Sequence, residues 1–488
     1  MERSPLETIV DPKSIVFLGA SNSIESIGSS QLLNIVRGGY TGKVFPIHKR
    51  EKTVLGVQAY PTIDSIPEPA DLAVVAVPKK EILGVFEECG KRGIRHAIVV
   101  TAGYGETGKD GEDSERHLTE AGRRWGIRFI GPNCIGIVNA HKDLNTTWFP
   151  AKNRPGNVGI ISQSGSYITQ MFGYFSKLGL GISKAVSVGN QANIDIADCL
   201  EYLGNDSDTR SIALYVEGIK RPRVFLEIAK RITPKKPIVA LYTGGSETGG
   251  RAGSSHTGSI SGANEIYNGL FKQTGILRAQ SISELYDWSL ALAQQPLPPN
   301  NNMALLTNSG GPAISMADKC YQLGLGVPVF DQKTQEAISK MTLEIAAVGN
   351  PVDIVDWNYD LLFVKLPALM LNLPYIGGLM LYGIFGPVHS RDKNRLLGDL
   401  MNIPTDGLEK WLRKACGEFV EIPKALQKPV ICSSFTGRED EAIELIQDSN
   451  IPVYPSPERA AKAMGALWEY SKIKKSFSGE GYPGGYNA

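Results

Sequence analysis

The sequence predicts an α/β protein made of doubly wound units, and two observations lead to this fold class. Short continuous apolar runs recur along the chain, as in DLAVVAVP at 71–78 and SIALYVEG at 211–218. Each run is followed by small residues and then by a helical pattern. Such runs suit strands buried on both faces of a parallel sheet, and their alternation with helices favours doubly wound domains.

The predicted strands are distributed over the whole chain. Nine apolar runs are expected to contain them, at residues 14–21, 71–78, 96–105, 158–166, 211–218, 237–245, 303–311, 376–386 and 428–437. A further strand is expected in KVFPIHKREK, which starts at residue 43.

Two seams rich in Pro and Asn divide the chain. They read FPAKNRPGN at 149–157 and AQQPLPPNNN at 293–302. Domains average roughly 150 residues, so the 488 residues suggest three of them. We expect domains at 1–150, 155–293 and 302–475, followed by a flexible Gly-rich tail at 476–488.

Composition excludes several classes of protein. The chain is 42% hydrophobic and 21% charged, with a formal charge of +1, so no large field attracts it to nucleic acid or to an anionic membrane. No signal peptide is evident, and no apolar segment reaches the roughly 20 residues of a membrane span. The six cysteines form no CxxC pair, which argues against a zinc site and a disulfide framework. We therefore expect a cytoplasmic protein without a metal site, a membrane partner or a nucleic-acid partner.

The first unit carries a candidate anion site. SIVFLGASNSIESIG places a small-residue turn after a strand and before a helix, whose N-terminal amides favour phosphate. Only Gly19 and Gly28 match the dinucleotide-binding pattern. The second strand ends in His48, Lys49 and Arg50 rather than in the acidic residue of NAD-binding units. These basic residues suit the extra phosphate of NADP or coenzyme A, and a solvated charge run is the alternative.

The second unit carries candidate catalytic residues. In SQSGS, Ser162, Ser164 and Gly165 precede a helix and form an anion cradle, although one serine could be a structural cap. Glu217 follows a strand at the edge of the sheet where ligands gather. A carboxylate there can accept one N–H of an imidazole and leave the other nitrogen nucleophilic. The alternative is a glutamate that caps the next helix.

The stretch GRAGSSHTGSISG at 250–262 places His256 among small residues. One interpretation is a solvated loop with an incidental histidine. The other combines His256 and Glu217 with the helix starts in a site for phosphoryl transfer to nitrogen.

The third unit repeats the strand, turn and helix in MALLTNSGGPAIS, where Gly310 and Gly311 open the helix. A tight structural turn explains those two glycines as well.

Eight short motifs together carry a resemblance to a known family. They are GAS at 19, GKVFPI at 42, GPNCIGI at 131, SQSG at 162, EG at 217, SHTGS at 255, TNSGGP at 307 and GNPVDI at 349. From about residue 8 to 470 the chain resembles the α subunits of ADP-forming acetyl-CoA synthetases, which belong to the succinyl-CoA synthetase superfamily. The resemblance implies a Rossmann-like CoA-binding domain followed by two flavodoxin-like domains.

The resemblance also implies an activity and its residues. The reaction is acyl-CoA + phosphate + ADP ⇌ carboxylate + CoA + ATP, through an acyl phosphate and a phosphorylated His256 that Glu217 steadies. The implied phosphate-binding residues are Ser164, Gly165, Gly310 and Gly311. The implied CoA-binding residues are Gly19, Ala20, Ser21, Lys43, Pro78, Asn133 and Cys134. Relatives read VNP where this chain reads IHK at 47–49, so the motif leaves a CoA contact by His48 or Lys49 open.

A nucleotide site is not recognised in the chain, since it lacks a GxxxxGK[ST] loop. The resemblance implies an ATP-grasp β subunit that binds ADP or ATP with Mg²⁺, in an α2β2 assembly. Two alternatives are a non-catalytic CoA-binding regulatory module and an NADP-dependent oxidoreductase. The motifs distinguish neither the acyl group, nor the physiological direction, nor ADP from GDP.

Overall fold

The chain forms two units with open parallel or mainly parallel sheets. The computed structural model describes residues 4–246, 248, 263–356, 358–383 and 405–477. Contacts assign residues 1–176 and 181–280 to the first unit, and residues 177–180 and 281–488 to the second. In the described part of the chain, the first unit contains two large sheets and the second unit contains one.

The first sheet is built by the N-terminal part of the first unit. Its strands are β1 (Ser14–Leu18), β2 (Lys43–Ile47), β5 (Leu72–Val75), β6 (His96–Val99) and β7 (Arg128–Ile130), and a hairpin of β3 (Thr53–Val54) and β4 (Val57–Gln58) lies outside it. The five strands are parallel, in the order β2-β1-β5-β6-β7. The chain order therefore reverses at β1.

Local signals in the sequence place the elements of this sheet. Every residue of β1 and β5 is buried, as expected for strands covered on both faces. The helices are α1 (Pro5–Val10), α2 (Ile27–Arg37), α3 (Ile82–Arg92) and α4 (Lys109–Trp125). The hydroxyl of Ser26 accepts the N–H of Ser29 and caps α2. Helices α3 and α4 end at Gly93 and Gly126, both in the left-handed conformation.

The second sheet completes the first unit. Its strands are β8 (Ile137–Asn139), β9 (Leu144–Asn145), β10 (Pro155–Ser162), β11 (Ile182–Ser187), β12 (Ser211–Val216), β13 (Ile238–Tyr242) and β14 (Leu277–Ala279), in the order β14-β13-β12-β10-β11-β8-β9. Strands β10 to β14 are parallel, whereas β8 pairs antiparallel with β11 and with β9.

Strands β8 and β9 lie within the range predicted for the first domain, 1–150, yet they extend the second sheet. Pairing with β8 covers an edge of β11 that would otherwise expose unpaired backbone groups. The helices around this sheet are α5 (Ser166–Thr169), α6 (Phe172–Leu178), α7 (Ile196–Asn205), α8 (Pro222–Ile232) and α9 (Asn264–Thr274). The chain order reverses at β10, because β11 and β12 lie on its two sides.

The second unit contains the third sheet. Its strands are β15 (Met303–Thr307), β16 (Val352–Asp353), β17 (Gly378–Tyr382), β18 (Val430–Ser433) and β19 (Val453–Tyr454), all parallel, in the order β16-β15-β17-β18-β19. The chain order reverses at β15. The helices are α10 (Ile282–Gln294), α11 (Gly310–Gln322), α12 (Gln332–Ser339), α13 (Leu366–Asn372), α14 (Thr405–Phe419), α15 (Ile422–Leu426), α16 (Glu441–Asp448) and α17 (Pro457–Phe477).

Helix α10 lies in the range predicted for the second domain, 155–293, but its contacts assign it to the second unit. It packs against α17, and the Arg459 guanidinium donates to both carboxylate oxygens of the buried Asp287 at 2.7 Å. Helix α17 reaches Phe477, so the predicted flexible tail of 476–488 begins in a helix. The rest of that tail lies outside the described residues, and the predicted domain limits stay predictions.

The predicted α/β class is confirmed, because eight of the nine apolar runs contain a whole strand and the ninth, 158–166, contains most of β10. Each of these strands ends where the small residues at the carboxyl end of its run begin, or just before them. Within the described ranges, no helix combines the length and the apolarity needed to cross a bilayer. All six cysteines are buried and unpaired.

Candidate active site

Each of the three sheets has one strand where the chain order reverses, and small residues follow that strand. Strand β1 leads to Gly19, β10 leads to the segment 163–165, and β15 leads to Gly310 and Gly311. Open α/β sheets bind ligands outside the carboxyl ends of the strands at such points. The three segments are therefore the candidate binding places. The first two lie in the first unit and the third lies in the second unit.

The turn after β1 is shaped for close approach. Gly19 has φ +103°, and a Cβ on it would collide with the backbone carbonyl of Ala76, which follows β5. The Ser21 N–H donates to Oγ of Ser29 at 3.0 Å, and this hydroxyl donates back to the Ser21 carbonyl at 2.9 Å. The turn is thus tied to the start of α2, where helix amides favour a phosphate.

Most of the predicted CoA residues share the edge of the first sheet where its strands end. These residues are Gly19, Ala20, Ser21, Pro78, Asn133 and Cys134, which follow β1, β5 and β7. Thr101 links two of these segments, because its hydroxyl donates to the Val77 carbonyl at 2.6 Å and its carbonyl accepts the Asn133 N–H at 3.0 Å.

Cys134 is an interior residue at this edge. Its thiol donates to the Val99 carbonyl at 3.3 Å, and burial raises the pKa of the thiol to about 12. The side chain is therefore neutral at physiological pH and packs in the core. This placement favours a structural role for the Cys134 side chain over a contact with CoA.

Lys43 is not brought together with the other predicted CoA residues. It begins β2 and pairs in register with Ser14, at the amino ends of the strands. Its ammonium forms an ion pair with Glu68 at 2.6 Å, and its side chain is 65% exposed. The motif GKVFPI suggested a ligand contact, but the direction of β2 places Lys43 at the opposite edge of the sheet. His48 follows β2 at the ligand edge, where its Nδ1 accepts the N–H groups of Arg50 and Glu51.

The turn after β10 contains the predicted phosphate-binding residues Ser164 and Gly165. The Ser162 hydroxyl donates to the Ser164 carbonyl at 2.7 Å. Gly165 directly precedes α5, which has only four residues, and no side chain caps that helix start. A Cβ on Gly165 would collide with the side chain of Ile135, which belongs to the GPNCIGI segment. Close packing against this segment, rather than serine capping, therefore explains the glycine.

Glu217 lies beside this turn. It follows β12, which is hydrogen-bonded to β10 with Tyr215 opposite Ser162. Oε1 of Gln163 accepts the Glu217 N–H at 2.6 Å. Burial raises the pKa of Tyr215 to about 12, a hydrogen bond with Thr243 opposes that shift, and the nearby charge of Glu217 adds to it. The structure thus brings Ser164, Gly165 and Glu217 to one place.

His256 lies outside the described residues, as do 247 and 249–262 around it. The described residues on both sides of this segment lie beside Glu217. Thr243 follows β13, and its N–H donates to the Val216 carbonyl at 3.0 Å. Gly245 lies against Asn264, the first residue of α9, since a Cβ on it would collide with the Asn264 side chain. The last residues described before this segment and the first described after it therefore lie close to the end of β12.

Gly310 and Gly311 begin the 13-residue helix α11 in the second unit. Ser309 occupies the capping position, but its hydroxyl contacts Oδ1 of Asn308 at 3.4 Å and makes no bond to the helix amides. The Asp353 carboxylate lies beside Gly310, whereas the space around the Cα of Gly311 is open. This helix start can accept an anion from the Gly311 side.

Sequence reasoning missed a polar network centred on Asn190. Its Nδ2 donates to Glu106 at 2.6 Å and to Glu115 at 2.9 Å, and its Oδ1 accepts from Asn133 at 3.2 Å. Lys220, three residues after Glu217, forms an ion pair with Glu115 at 3.3 Å. Burial opposes the ionisation of Glu106, but hydrogen bonds from Asn190 and from backbone N–H groups lower the pKa overall. A single sequence carries no signal for partners so far apart in the chain.

Two family models match the chain. Residues 13–140 match a CoA binding domain, and residues 155–292 match a succinyl-CoA ligase like flavodoxin domain. The two models cover the sheets that hold the first two candidate binding places.

Known proteins resemble the chain over nearly its whole length. The α subunit of acetate–CoA ligase (ADP-forming) II from Pyrococcus furiosus is 37% identical, and the match covers 96% of this chain and 98% of that one. The 4-hydroxybutyrate–CoA ligase (ADP-forming) of Nitrosopumilus maritimus is 31% identical, and the match covers 97% of this chain but 65% of the relative.

A solved structure gives the same result. It is a dinucleotide-forming acetyl-coenzyme A synthetase 1 from Ca. Korarchaeum cryptofilum in complex with phosphate and ADP. The TM-score is 0.83 at 33% identity, and the match covers 97% of this chain and 98% of that chain.

These matches, together with the three sheets in which the chain order reverses at one strand, define the class of protein as an acid–CoA ligase of the succinyl-CoA synthetase superfamily. The predicted Rossmann-like CoA-binding domain followed by flavodoxin-like domains is thereby confirmed. Within that class, the chain belongs to the family of α subunits of ADP-forming acetate–CoA ligases, which are NDP-forming acyl-CoA synthetases. The regulatory-module and oxidoreductase alternatives receive no support.

Proposed function

We propose that this chain interconverts acyl-CoA, phosphate and ADP with carboxylate, CoA and ATP through a phosphorylated His256. An oxygen of inorganic phosphate attacks the thioester carbonyl carbon, the C–S bond breaks, and CoA leaves with a proton. The acyl phosphate then gives its phosphoryl group to His256 as the bond to the carboxylate oxygen breaks. The phosphoryl group finally passes from His256 to the terminal oxygen of ADP.

The observation that carries this proposal is the position of Glu217 at the end of β12, beside the turn after β10 and the chain on both sides of the His256 segment. A carboxylate that accepts one imidazole N–H fixes the tautomer and leaves the other nitrogen as the nucleophile. It also stabilises the positive charge of the ring once phosphorus is bound. We assign Glu217 this role.

Two helix starts, one in each unit, are each proposed to bind phosphate. Ser164 and Gly165 provide one, and Gly310 and Gly311 provide the other. Uncapped backbone N–H groups attract anions, and the dipole of a helix as long as α11 contributes roughly 0.3–1 kcal/mol to such binding. The capping residue of α11 makes no bond to the helix amides, which supports the second assignment. Catalysis then consists mainly of positioning and charge stabilisation.

CoA is proposed to bind at the carboxyl edge of the first sheet. The residues there fit such a ligand, because the turn after β1 is tied to the start of α2, whose N-terminal amides favour a phosphate. Ala20, Ser21, Pro78 and Asn133 are proposed to complete the site. Lys43 is left out of it because of its position at the other edge.

The nucleotide is proposed to bind to a separate ATP-grasp β subunit together with Mg²⁺, in a cytoplasmic α2β2 assembly. Relatives named α subunits imply a second subunit, and the chain spans only 65% of the N. maritimus enzyme that it matches. In the described part of this chain, no three His, Cys, Asp or Glu side chains cluster closely enough to bind a metal ion.

Co-expression with an ATP-grasp β subunit tests this function. We expect the complex to form CoA thioesters from ATP, CoA and one or more acids in a panel of acetate, branched-chain, aryl and hydroxy acids. The isolated chain should bind CoA, measured by calorimetry, and form no thioester. Thioester synthesis by the isolated chain would contradict the division between subunits, and tight NADP binding without CoA binding would contradict the proposed chemistry.

The replacement Gly311→Ala tests the phosphate role of α11. The added Cβ meets no atom within 4 Å and the position is helical, so the melting temperature should stay the same or rise. Activity should fall about tenfold, because a methyl group displaces a phosphate docked on the first-turn amides. Gly417→Ala is the matched control, since Gly417 is an exposed, unobstructed glycine of α14. Equal activity of the two variants would argue against a phosphate at this helix start.

A further inference from the structure

The backbone that carries Glu217 is held by side chains rather than by a neighbouring strand. The N–H groups of Glu217 and Gly218 both donate to Oε1 of Gln163, at 2.6 and 2.9 Å. The next N–H, that of Ile219, donates to the hydroxyl of Tyr267 at 3.2 Å. Three consecutive backbone donors after β12 therefore have side-chain acceptors.

The carbonyl of Gly218 is held as well. Nε2 of Gln191 donates to it at 3.3 Å, while Oε1 of Gln191 accepts the Ile196 N–H at 3.1 Å. Gln163 and Gln191 are only 6% and 5% exposed. Side chains from three separate segments of the chain thus converge on residues 217–219, which we call the Glu217 segment.

Gln163 is the member of this group best placed to control Glu217. It follows β10 and lies inside the SQSG turn, so it connects the predicted phosphate cradle directly to the Glu217 segment. A single oxygen that accepts from two successive N–H groups restrains the peptide plane between them. Because the Cα–Cβ bond of Glu217 is attached to that restrained backbone, its direction is restrained too.

We propose that Gln163 is a positioning residue that aims the Glu217 carboxylate. This inference rests on the proposed function, in which Glu217 orients the phosphorylated histidine. Buried backbone N–H groups need acceptors in any fold, so a purely structural role for Gln163 is the competing explanation. The two explanations differ in whether the loss of Gln163 acts through Glu217.

The variant Gln163→Met removes the acceptor and keeps a side chain of similar length. In the complex with the β subunit, we expect kcat to fall about 10- to 100-fold, since misplacing a reacting group by about 1 Å costs up to that factor. The KM for CoA should stay within twofold, because CoA is bound at the first sheet.

A matched control separates positioning from stability. Gln295 in the second unit is also a buried glutamine, whose side chain donates to the Asn450 carbonyl at 2.6 Å and accepts the Val430 N–H at 2.9 Å. Val430 begins β18, so this bridge lies at the amino end of its strand. Gln295→Met should lower the melting temperature about as much as Gln163→Met and leave kcat unchanged.

A double-mutant cycle with Glu217→Gln provides the decisive test. If Gln163 acts through Glu217, Gln163→Met costs less than about threefold in kcat once Glu217 is replaced, because the effects of residues acting as a unit are not additive. An additive loss overturns the inference, as does a Gln163→Met variant that is less stable but fully active. If Gln163→Met does not fold, Gln163→Asn, which withdraws the acceptor by one methylene, is measured in the same cycle.

The same cycle distinguishes this inference from the proposed function. If Glu217→Gln alone retains full activity, the role of Glu217 is wrong and the proposed function fails. If Glu217→Gln is inactive while Gln163→Met keeps the wild-type kcat, only the positioning role of Gln163 fails.

Discussion

Replacing His256 with Asn is expected to abolish acyl-CoA synthesis by the reconstituted complex. The amide of Asn has a polar nitrogen that is not nucleophilic, so no phosphoryl group can be carried between the acyl phosphate and ADP. The loss in kcat should be about 10⁴-fold or more, the size typical for removal of a catalytic nucleophile. CoA affinity should be unchanged, because the residues proposed to bind CoA lie along the first sheet.

Radiolabelled ATP provides the direct measurement. With the β subunit present, the wild-type chain should acquire an acid-labile, base-stable phosphate, and the His256→Asn variant should acquire none. His117→Asn, at an exposed position of α4, is the control and should label normally. Labelling of the His256→Asn chain to the wild-type level would show that another residue carries the phosphoryl group.

Replacing Glu217 with Gln is expected to lower kcat by roughly 10²- to 10⁴-fold. The amide has almost the shape of the carboxylate, so the backbone bonds to Gln163 should survive. It lacks the negative charge that, as we propose, fixes the imidazole tautomer and stabilises the phosphorylated ring. The rate of His256 phosphorylation in a single turnover should therefore be low, while the affinity for CoA stays the same.

Two further variants sharpen this measurement. Glu217→Asp keeps the charge but shortens the side chain by one methylene, and it should be intermediate in activity. Glu227→Gln removes an exposed carboxylate of α8 and should have no effect. A Glu217→Gln variant that labels at the wild-type rate would exclude an orienting role for this residue.

The sequence was sufficient to predict ten of the described strands and the small-residue turns after β1, β10 and β15, because buried parallel strands produce local apolar runs. It also predicted that Glu217 and the SQSG turn lie together, since both follow neighbouring strands. It did not predict the other described strands, among them β7, β11 and β14, which carry no comparable run. Strands β8 and β9 lie within the range predicted for the first domain and extend the second sheet, because β8 pairs with β11 and β9 pairs with β8 through contacts that no local pattern records. The packing of helix α10 against α17 is likewise a contact that the local pattern does not record.

The positions of two predicted CoA residues, Lys43 and Cys134, also depend on the three-dimensional structure. The motif around Lys43 suggested a ligand contact, but only the direction of β2 shows that Lys43 is at the other edge. Cys134 belongs to a recognisable motif, yet its thiol points into the core. The roles of Gln163, Gln191 and Asn190 come from hydrogen bonds between distant segments. A single sequence gives polar residues of this kind no distinguishing pattern.

The antiparallel pair β8–β9 limits where the chain can be divided between its CoA-binding sheet and the neighbouring sheet. Residues 137–145 follow the last strand of the CoA-binding sheet directly, yet they form the rim of the neighbouring sheet. A chain break at the seam near 150 would remove β8 and β9 from the second sheet. Strand β11 would then be an unpaired edge strand, which is prone to aggregation. A break that separates the first sheet and leaves β8 and β9 on the second sheet therefore has to fall between β7 and β8, not at the seam near 150.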